Sequence, residues 1–220
     1  NRIINGAMTI DQRNAGASSA FTSNAYKLDR WAGKIGTGSG HTTQQSDGPT
    51  GFSKSSLITV GTGGSPSAGD VSRIYQAIEG YNIADLSWGT ALASPITLSF
   101  WVKASLTGTF SGALFGAIGE QWSYAFTYEV ALANTWERKT VTISGPTTGT
   151  WNETNGPAFY VNFDLGSGTN FKISAGSWVA AAQYIGVTGS VNLCATSGAT
   201  FYITGVQLEA GSTASPFAHE

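Results

Sequence analysis

The strongest constraint on this chain is a two-residue alternation of apolar and polar side chains. In Ile96-Thr97-Leu98-Ser99-Phe100-Trp101-Val102-Lys103-Ala104 every even position is apolar and the odd ones are mostly polar. That period fits a half-buried strand, and Pro95 marks its entry. Tyr124, Phe126, Tyr128 and Val130 alternate in the same way, as do Phe159, Val161 and Phe163 against Tyr160, Asn162 and Asp164. Further strands are predicted over 2–10, 26–31, 55–60, 71–79, 110–118 and 136–143. In the last, 200–208, the apolar phase changes between Ile203 and Val206, and a bulge at Gly205 accounts for the change. No segment sustains a 3.6-residue period. Trp178-Val179-Ala180-Ala181-Ala182 reads equally well as a helical turn or a short strand. The Gly/Ser/Thr clusters at 36–40, 61–69, 145–149 and 166–168 have turn chemistry. Roughly ten strands predict an all-β fold. Its architecture is an antiparallel β-sandwich of the jelly-roll type, in a single domain over 1–220 with no linker or internal repeat.

Composition narrows the partners. With 29 Gly, 25 Ser and 26 Thr, these three residues exceed a third of the 220, and 12% of the chain is aromatic. Disordered tails, coiled coils and collagen are excluded on those grounds. A formal net charge of −2, with Lys and Arg scattered singly, argues against nucleic acid and against an anionic membrane surface. It points instead to an uncharged glycan or a packed neighbour. No apolar run reaches a membrane span, and no signal peptide is visible near the start. The lone Cys194 excludes an internal disulfide. The chain starts at Asn1 without a Met, which suggests a trimmed fragment.

Catalytic chemistry has few footholds. His41 and His219 fall in no triad motif and read as exposed loop or tail histidines. Cys194 reads as a small buried thiol, and ligands for zinc are too few. A glycosidase needs two carboxylates about 5–9 Å apart, for which Asp164 with Glu79 is the candidate pair. Asp11, Asp29 and Asp164 are the alternative candidates for a structural calcium ion, the one cofactor considered. Gly61-Thr62-Gly63-Gly64 lacks the Lys-Ser/Thr ending of a phosphate loop and reads as a turn.

Aromatics and amides remain. Sugar rings stack on Trp or Tyr while Asn, Gln, Asp and Glu bond the hydroxyls, and no reactive group is needed. Trp88, Trp122, Trp151 and Trp178 lie beside turn residues, where large aromatics are most available for contact. Tyr160, Asn162 and Asp164 face away from the apolar side of their strand, and Trp101 does the same on its own. These seven residues (Trp88, Trp122, Trp151, Trp178, Tyr160, Asn162 and Asp164) are the candidate carbohydrate-binding set. The competing assignment packs such aromatics beneath loops or against a neighbouring subunit.

Several motifs carry a resemblance. Arg2-Ile3-Ile4-Asn5-Gly6-Ala7-Met8, Asp11-Gln12-Arg13 and Leu28-Asp29-Arg30-Trp31 resemble an N-terminal signature of bacteriophage tail-fibre proteins. Phe201-Tyr202-Ile203-Thr204-Gly205-Val206-Gln207-Leu208-Glu209-Ala210-Gly211-Ser212, running on to Pro216-Phe217, resembles their closing signature. Between them Gln76-Ala77-Ile78-Glu79-Gly80, Leu98-Ser99-Phe100-Trp101-Val102-Lys103, Gly108-Thr109-Phe110, Thr148-Gly149-Thr150-Trp151-Asn152 and Asp164-Leu165-Gly166-Ser167-Gly168 match in order. The resemblance implies a jelly roll like that of carbohydrate-binding modules, located on the virion in a tail or surface fibre. It also implies a homotrimer that meets host surface glycans and other virion proteins. On this basis the expected function is non-catalytic receptor binding. A structural virion subunit is the alternative, and a polysaccharide depolymerase ranks third. Gln76 and Glu79 then read as structural polar groups bonding loops.

Overall fold

A computed structural model describes residues 1–117, 121–181 and 183–218. Ile118, Ala182 and His219, each part of an expectation above, lie outside the described residues. Alternation carries directly into structure. In β7 (Ile96–Ala104) Ile96, Leu98, Phe100, Val102 and Ala104 are fully buried, whereas Trp101 and Lys103 are only half-buried on the opposite face. The same pattern sets β6 (Arg73–Glu79), β9 (Ser123–Val130) and β11 (Pro157–Asp164).

Two antiparallel sheets result. One runs in the order β1 (Ser19–Ala20), β4 (Thr42–Asp47), β5 (Lys54–Thr59), β15 (Thr200–Ala210), β7, β10 (Glu137–Ile143). The other runs β13 (Trp178–Val179), β9, β8 (Gly108–Gly116), β11, β6, β3 (Trp31–Lys34), β2 (Tyr26–Leu28). A short parallel pair, β12 (Lys172–Ile173) with β14 (Gly186–Val187), stands apart. The sheets stack face to face through aromatics. The Phe100 ring lies 5.0 Å from Tyr128 and 4.9 Å from Phe163, both edge-on. Each such burial contributes about 1.5–3 kcal/mol. The fold is the expected β-sandwich, with fifteen strands among the described residues rather than ten.

Four of the additional strands have only two residues, too short to show a period. The fifth, β4, reads Thr-Thr-Gln-Gln-Ser-Asp and has no apolar alternation to detect. The hairpin predicted as one strand over 26–31 divides into β2 and β3 around Arg30, which adopts φ 72°. Trp178–Val179 is a strand and not a helical turn.

The segment 2–10 forms no strand. Asn5 (φ 54°) and Met8 (φ 57°) turn the chain, and the Asn5 side chain takes over the bonding that a ladder would supply. Its Nδ2 donates to the carbonyls of Ile10 and Asp29, and its Oδ1 accepts the Ile10 N–H. Trp31 Nε1 donates to the Asn5 carbonyl. The Asn-Gly and Asp-Arg-Trp motifs are thus two halves of one structural lock. The segment still runs beside β15, with Arg2 N donating to Leu208 O and Val206 N to Gly6 O.

The bulge at Gly205 is present: the β15–β7 register shifts between Thr204 and Gln207. Gly205 has φ +59°, and a Cβ there would lie 2.7 Å from the Phe52 ring. Gln76 and Glu79 hold loops as expected. Gln76 bonds both the N–H and the carbonyl of Ile4, and Glu79 pairs with Arg30 and Asn82. His41, expected to be exposed, is buried. Its Nδ1 accepts the Gly61 N–H and its Nε2 meets the Thr37 carbonyl at 2.7 Å, so the ring fastens two loops.

Candidate functional site

Of the four tryptophans expected to contact sugar, two are buried and two, Trp122 and Trp178, are half-buried. Trp88 and Trp151 are 4% and 6% exposed. They meet edge-on at 4.9 Å, and Trp178 completes the cluster at 5.5 Å from Trp88 and 5.4 Å from Trp151. Trp88 also stacks on Phe159 at 5.1 Å. Each indole N–H is spent internally: Trp88 on the Ser94 carbonyl, Trp178 on Ser144 and Trp151 on Thr148. Trp122 is half-buried over the same loop, where a Cβ on Gly149 would come within 2.3 Å of its Nε1. Lying beside turns did not make these rings available. The loops fold inward and use them to plug one end of the sandwich, because apolar area is worth more buried than exposed.

Tyr160 behaves differently. It lies on the outer face of the second sheet and lines an open groove of about 160 Å³ with Arg73, Tyr75, Phe115, Gly116 and Gln183. Tyr160 lies edge-on to Tyr75 at 5.7 Å and 5.0 Å from Phe115. The Arg73 guanidinium sits 4.2 Å from the Tyr75 ring centre and 5.2 Å from that of Phe115. Burial lowers the pKa of Arg73 and raises that of Tyr75, which Arg73 partly counteracts. Tyr26, on the outermost strand, lies close enough to Tyr75 to contribute to that rise. The aromatic row therefore extends across the sheet toward Arg13, which sits 5.6 Å over the Tyr26 ring.

Asn162 and Asp164 share this face but are both buried. Asn162 supports the groove from below: its Oδ1 accepts from Arg73 Nη1 at 2.9 Å and its Nδ2 donates to the Ala113 carbonyl. Asp164 is covered by the chain segment carrying Lys172 and Gly186. It pairs with Lys172 at 3.4 Å and accepts the N–H groups of Gly166 and Ser167. Its oxygens are thus engaged by a cation and by backbone donors, as the burial of such a group requires.

The proposed carboxylate pair does not assemble. Asp164 lies opposite Arg73 and Glu79 opposite Pro157, at the two ends of the β6–β11 ladder. At ~3.3 Å per residue that separates the two carboxyls by roughly 20 Å, beyond the reach of glycoside chemistry. The three calcium candidates do not gather either, and no group of three acidic, His or Cys side chains suited to a metal occurs among the described residues. Asp11 bonds the N–H groups of Asn14 and Gly16, and Asp29 bonds that of Gln12.

Arg73, Tyr75 and Phe115 were not among the sequence candidates, although the signal was present. Each stands out of phase with the core residues of its own strand, as Tyr160 does. A second half-buried patch lies on the outer face of the first sheet, where Lys103 Nζ sits 3.9 Å over Tyr202 and 5.1 Å over Trp136.

No family model matches this chain, and no curated protein matches it either. Solved structures do. The enzymatically active domain of tailspike protein 4 from bacteriophage CBA120 has TM-score 0.50 and 15% identity, over 96% of this chain and 21% of that one. The chain thus spans about a fifth of that tailspike's length. A carbohydrate-binding module, CBM4, matches with TM-score 0.45 and 16% identity, over 94% of this chain and 99% of that one. The tripod from the baseplate of bacteriophage Tuc2009 matches with TM-score 0.38 and 14% identity, over 74% of this chain and 49% of that one. At these identities the likeness is one of fold: a jelly-roll sandwich whose structural neighbours include phage tailspike and baseplate domains and carbohydrate-binding modules. No helix among the described residues is long and apolar enough to cross a membrane.

Proposed function

We propose that this chain is a non-catalytic glycan-contacting domain of a phage tail fibre, binding host surface polysaccharide through the groove of Tyr75, Phe115, Tyr160 and Arg73. The observation that carries this reading is the groove itself, an open aromatic trough with a cation on the outer face of the second sheet. Fold likeness to a tailspike domain supports a place on the virion. The separation of Asp164 and Glu79 at the two ends of the β6–β11 ladder, each engaged by a cation, supports binding without cleavage.

One groove of this size is a weak site. Affinity would come from assembly, and a homotrimer presenting three linked grooves gains ~10²–10⁴-fold in avidity without a new contact. The test is retention of the trimeric fibre on purified host polysaccharide. Wild type is expected to bind without shortening the polymer, and Tyr160→Ala is expected to lose binding while staying folded. Release of reducing ends would replace this proposal with a depolymerase.

The structural-subunit alternative draws on the patch of Trp101, Lys103, Trp136 and Tyr202, which suits a subunit contact. Loss of assembly on Trp136→Ala, with polysaccharide never bound, would favour it.

A further inference from the structure

Arg73 is a charged group without a charged partner. Most of the chain's buried or half-buried cations have one: Arg2 meets Asp85, Arg30 meets Glu79, Lys139 meets Glu137 and Lys172 meets Asp164. Arg73, enclosed between Tyr75 and Phe115, bonds only the neutral Asn162, and its Nε has no acceptor among the described residues. Its cross-strand neighbour on β11 is Asp164, but that carboxylate is turned into the covering segment and spent on Lys172 and two backbone N–H groups.

Its neighbour on the other side adds to the imbalance. Lys34 of β3 lies directly opposite Arg73 in the ladder, so the two side chains emerge on one face. Lys34 has no ion pair among the described residues, and the strands there are joined with two like charges abreast. Like charges directly opposite destabilise a sheet pair, and an enclosed cation without a counter-charge adds a desolvation cost. A ligand that brings a negative charge to this point would relieve both.

From this geometry we infer that the groove takes an acidic sugar, with a uronic or similar sugar carboxylate held by Arg73, on a face where Lys34 adds positive charge from the neighbouring strand, while its ring rests on Tyr75 and Tyr160. The inference rests on the proposed glycan groove and narrows it. It also departs from the composition, since a chain of near-neutral net charge carries, among the described residues, two cations without an ion pair at one register position here. A guanidinium presents its edge to a carboxylate in a paired arrangement, whereas its face is already occupied by Tyr75. The groove is small beside drug-sized pockets of roughly 300–1,000 Å³, which suits one ring within a polymer and not a long bound segment.

The test uses matched probes on the whole chain: the methyl glycosides of glucuronic, galacturonic and N-acetylneuraminic acid, each beside its own methyl ester. Backbone amide NMR titration at millimolar probe reads both affinity and place. At least one acid is expected to shift the resonances of 73–75, 113–116 and 160–162, more tightly at low salt. Its ester is expected to bind about tenfold or more weakly, the loss of a charge-assisted pair. Lys34→Gln, at a half-exposed site that should not disturb folding, is expected to weaken the acid several-fold and leave the ester unchanged. Esters binding as well as acids in this groove would overturn the acidic assignment and leave the groove reading intact. If neither acids nor esters shift the groove, both fall.

Discussion

Two aromatic clusters of similar size occupy this domain and do opposite things. Trp88, Trp151 and Trp178 form a closed cluster in which every indole N–H has a backbone acceptor. Tyr75, Phe115 and Tyr160 form an open one that encloses an arginine without a carboxylate. The first cluster is complete and holds the sandwich end together. The second has an unmatched charge and an unfilled space. Aromatic identity does not separate a plug from a site, but unspent polar capacity does.

The sharpest way to break this contrast is to truncate one ring from each cluster. Trp88→Ala removes a buried indole stacked on Phe159 and should cost about 3–5 kcal/mol in denaturant unfolding, with any residual glycan binding by the folded fraction unchanged. Tyr160→Ala should do the reverse. Folding stability is expected to fall by only about 1 kcal/mol, the scale of its ring contacts with Tyr75 and Phe115, while glycan affinity drops tenfold or more. Equal effects of the two changes on stability would erase the distinction.

Cys194 gives an internal reporter of which cluster supports the fold. Its thiol donates to Asn192 Oδ1 and to the Gly166 carbonyl, and burial raises its pKa from 9.0 to about 11. The unfolded thiol therefore ionises first. The stabilisation is fully present below pH 9 and is lost as pH rises toward 11, so the unfolding midpoint should move down across that window. At pH 8 a thiol reagent should label the native protein slowly. Labelling should be faster in Trp88→Ala and unchanged in Tyr160→Ala. The smallest effect is expected from Lys103→Ala on the opposite sheet face. It removes a cation–π contact worth about 0.5–1 kcal/mol and should leave glycan binding untouched.

Much of the fold was legible because alternation is a local property. The faces of Ile96–Ala104 and the bulge at Gly205 follow from spacing alone. The segment 2–10 was not, because its chain turns at Asn5 and Met8 and is held by an Asn5 side chain that bonds both Ile10 and the distant Asp29. The candidate site was legible in part. Tyr160 stood out of phase with its strand, and Arg73, Tyr75 and Phe115 carry the same mark. What the sequence does not reveal is which outward face a later segment will cover. Asp164 and Tyr160 share one stripe, yet the segment bearing Lys172 buries only the first. Similarly, lying beside turns said nothing about whether a loop would carry Trp151 inward or outward.

The most direct test of the central claim sets Tyr160→Ala, a ring of the groove, against Trp122→Ala, a half-buried ring beside the closed cluster, on one array of host polysaccharides. If the groove is the glycan site, binding is lost with Tyr160→Ala and kept with Trp122→Ala, both proteins remaining folded. Binding kept with Tyr160→Ala and lost with Trp122→Ala would contradict that claim.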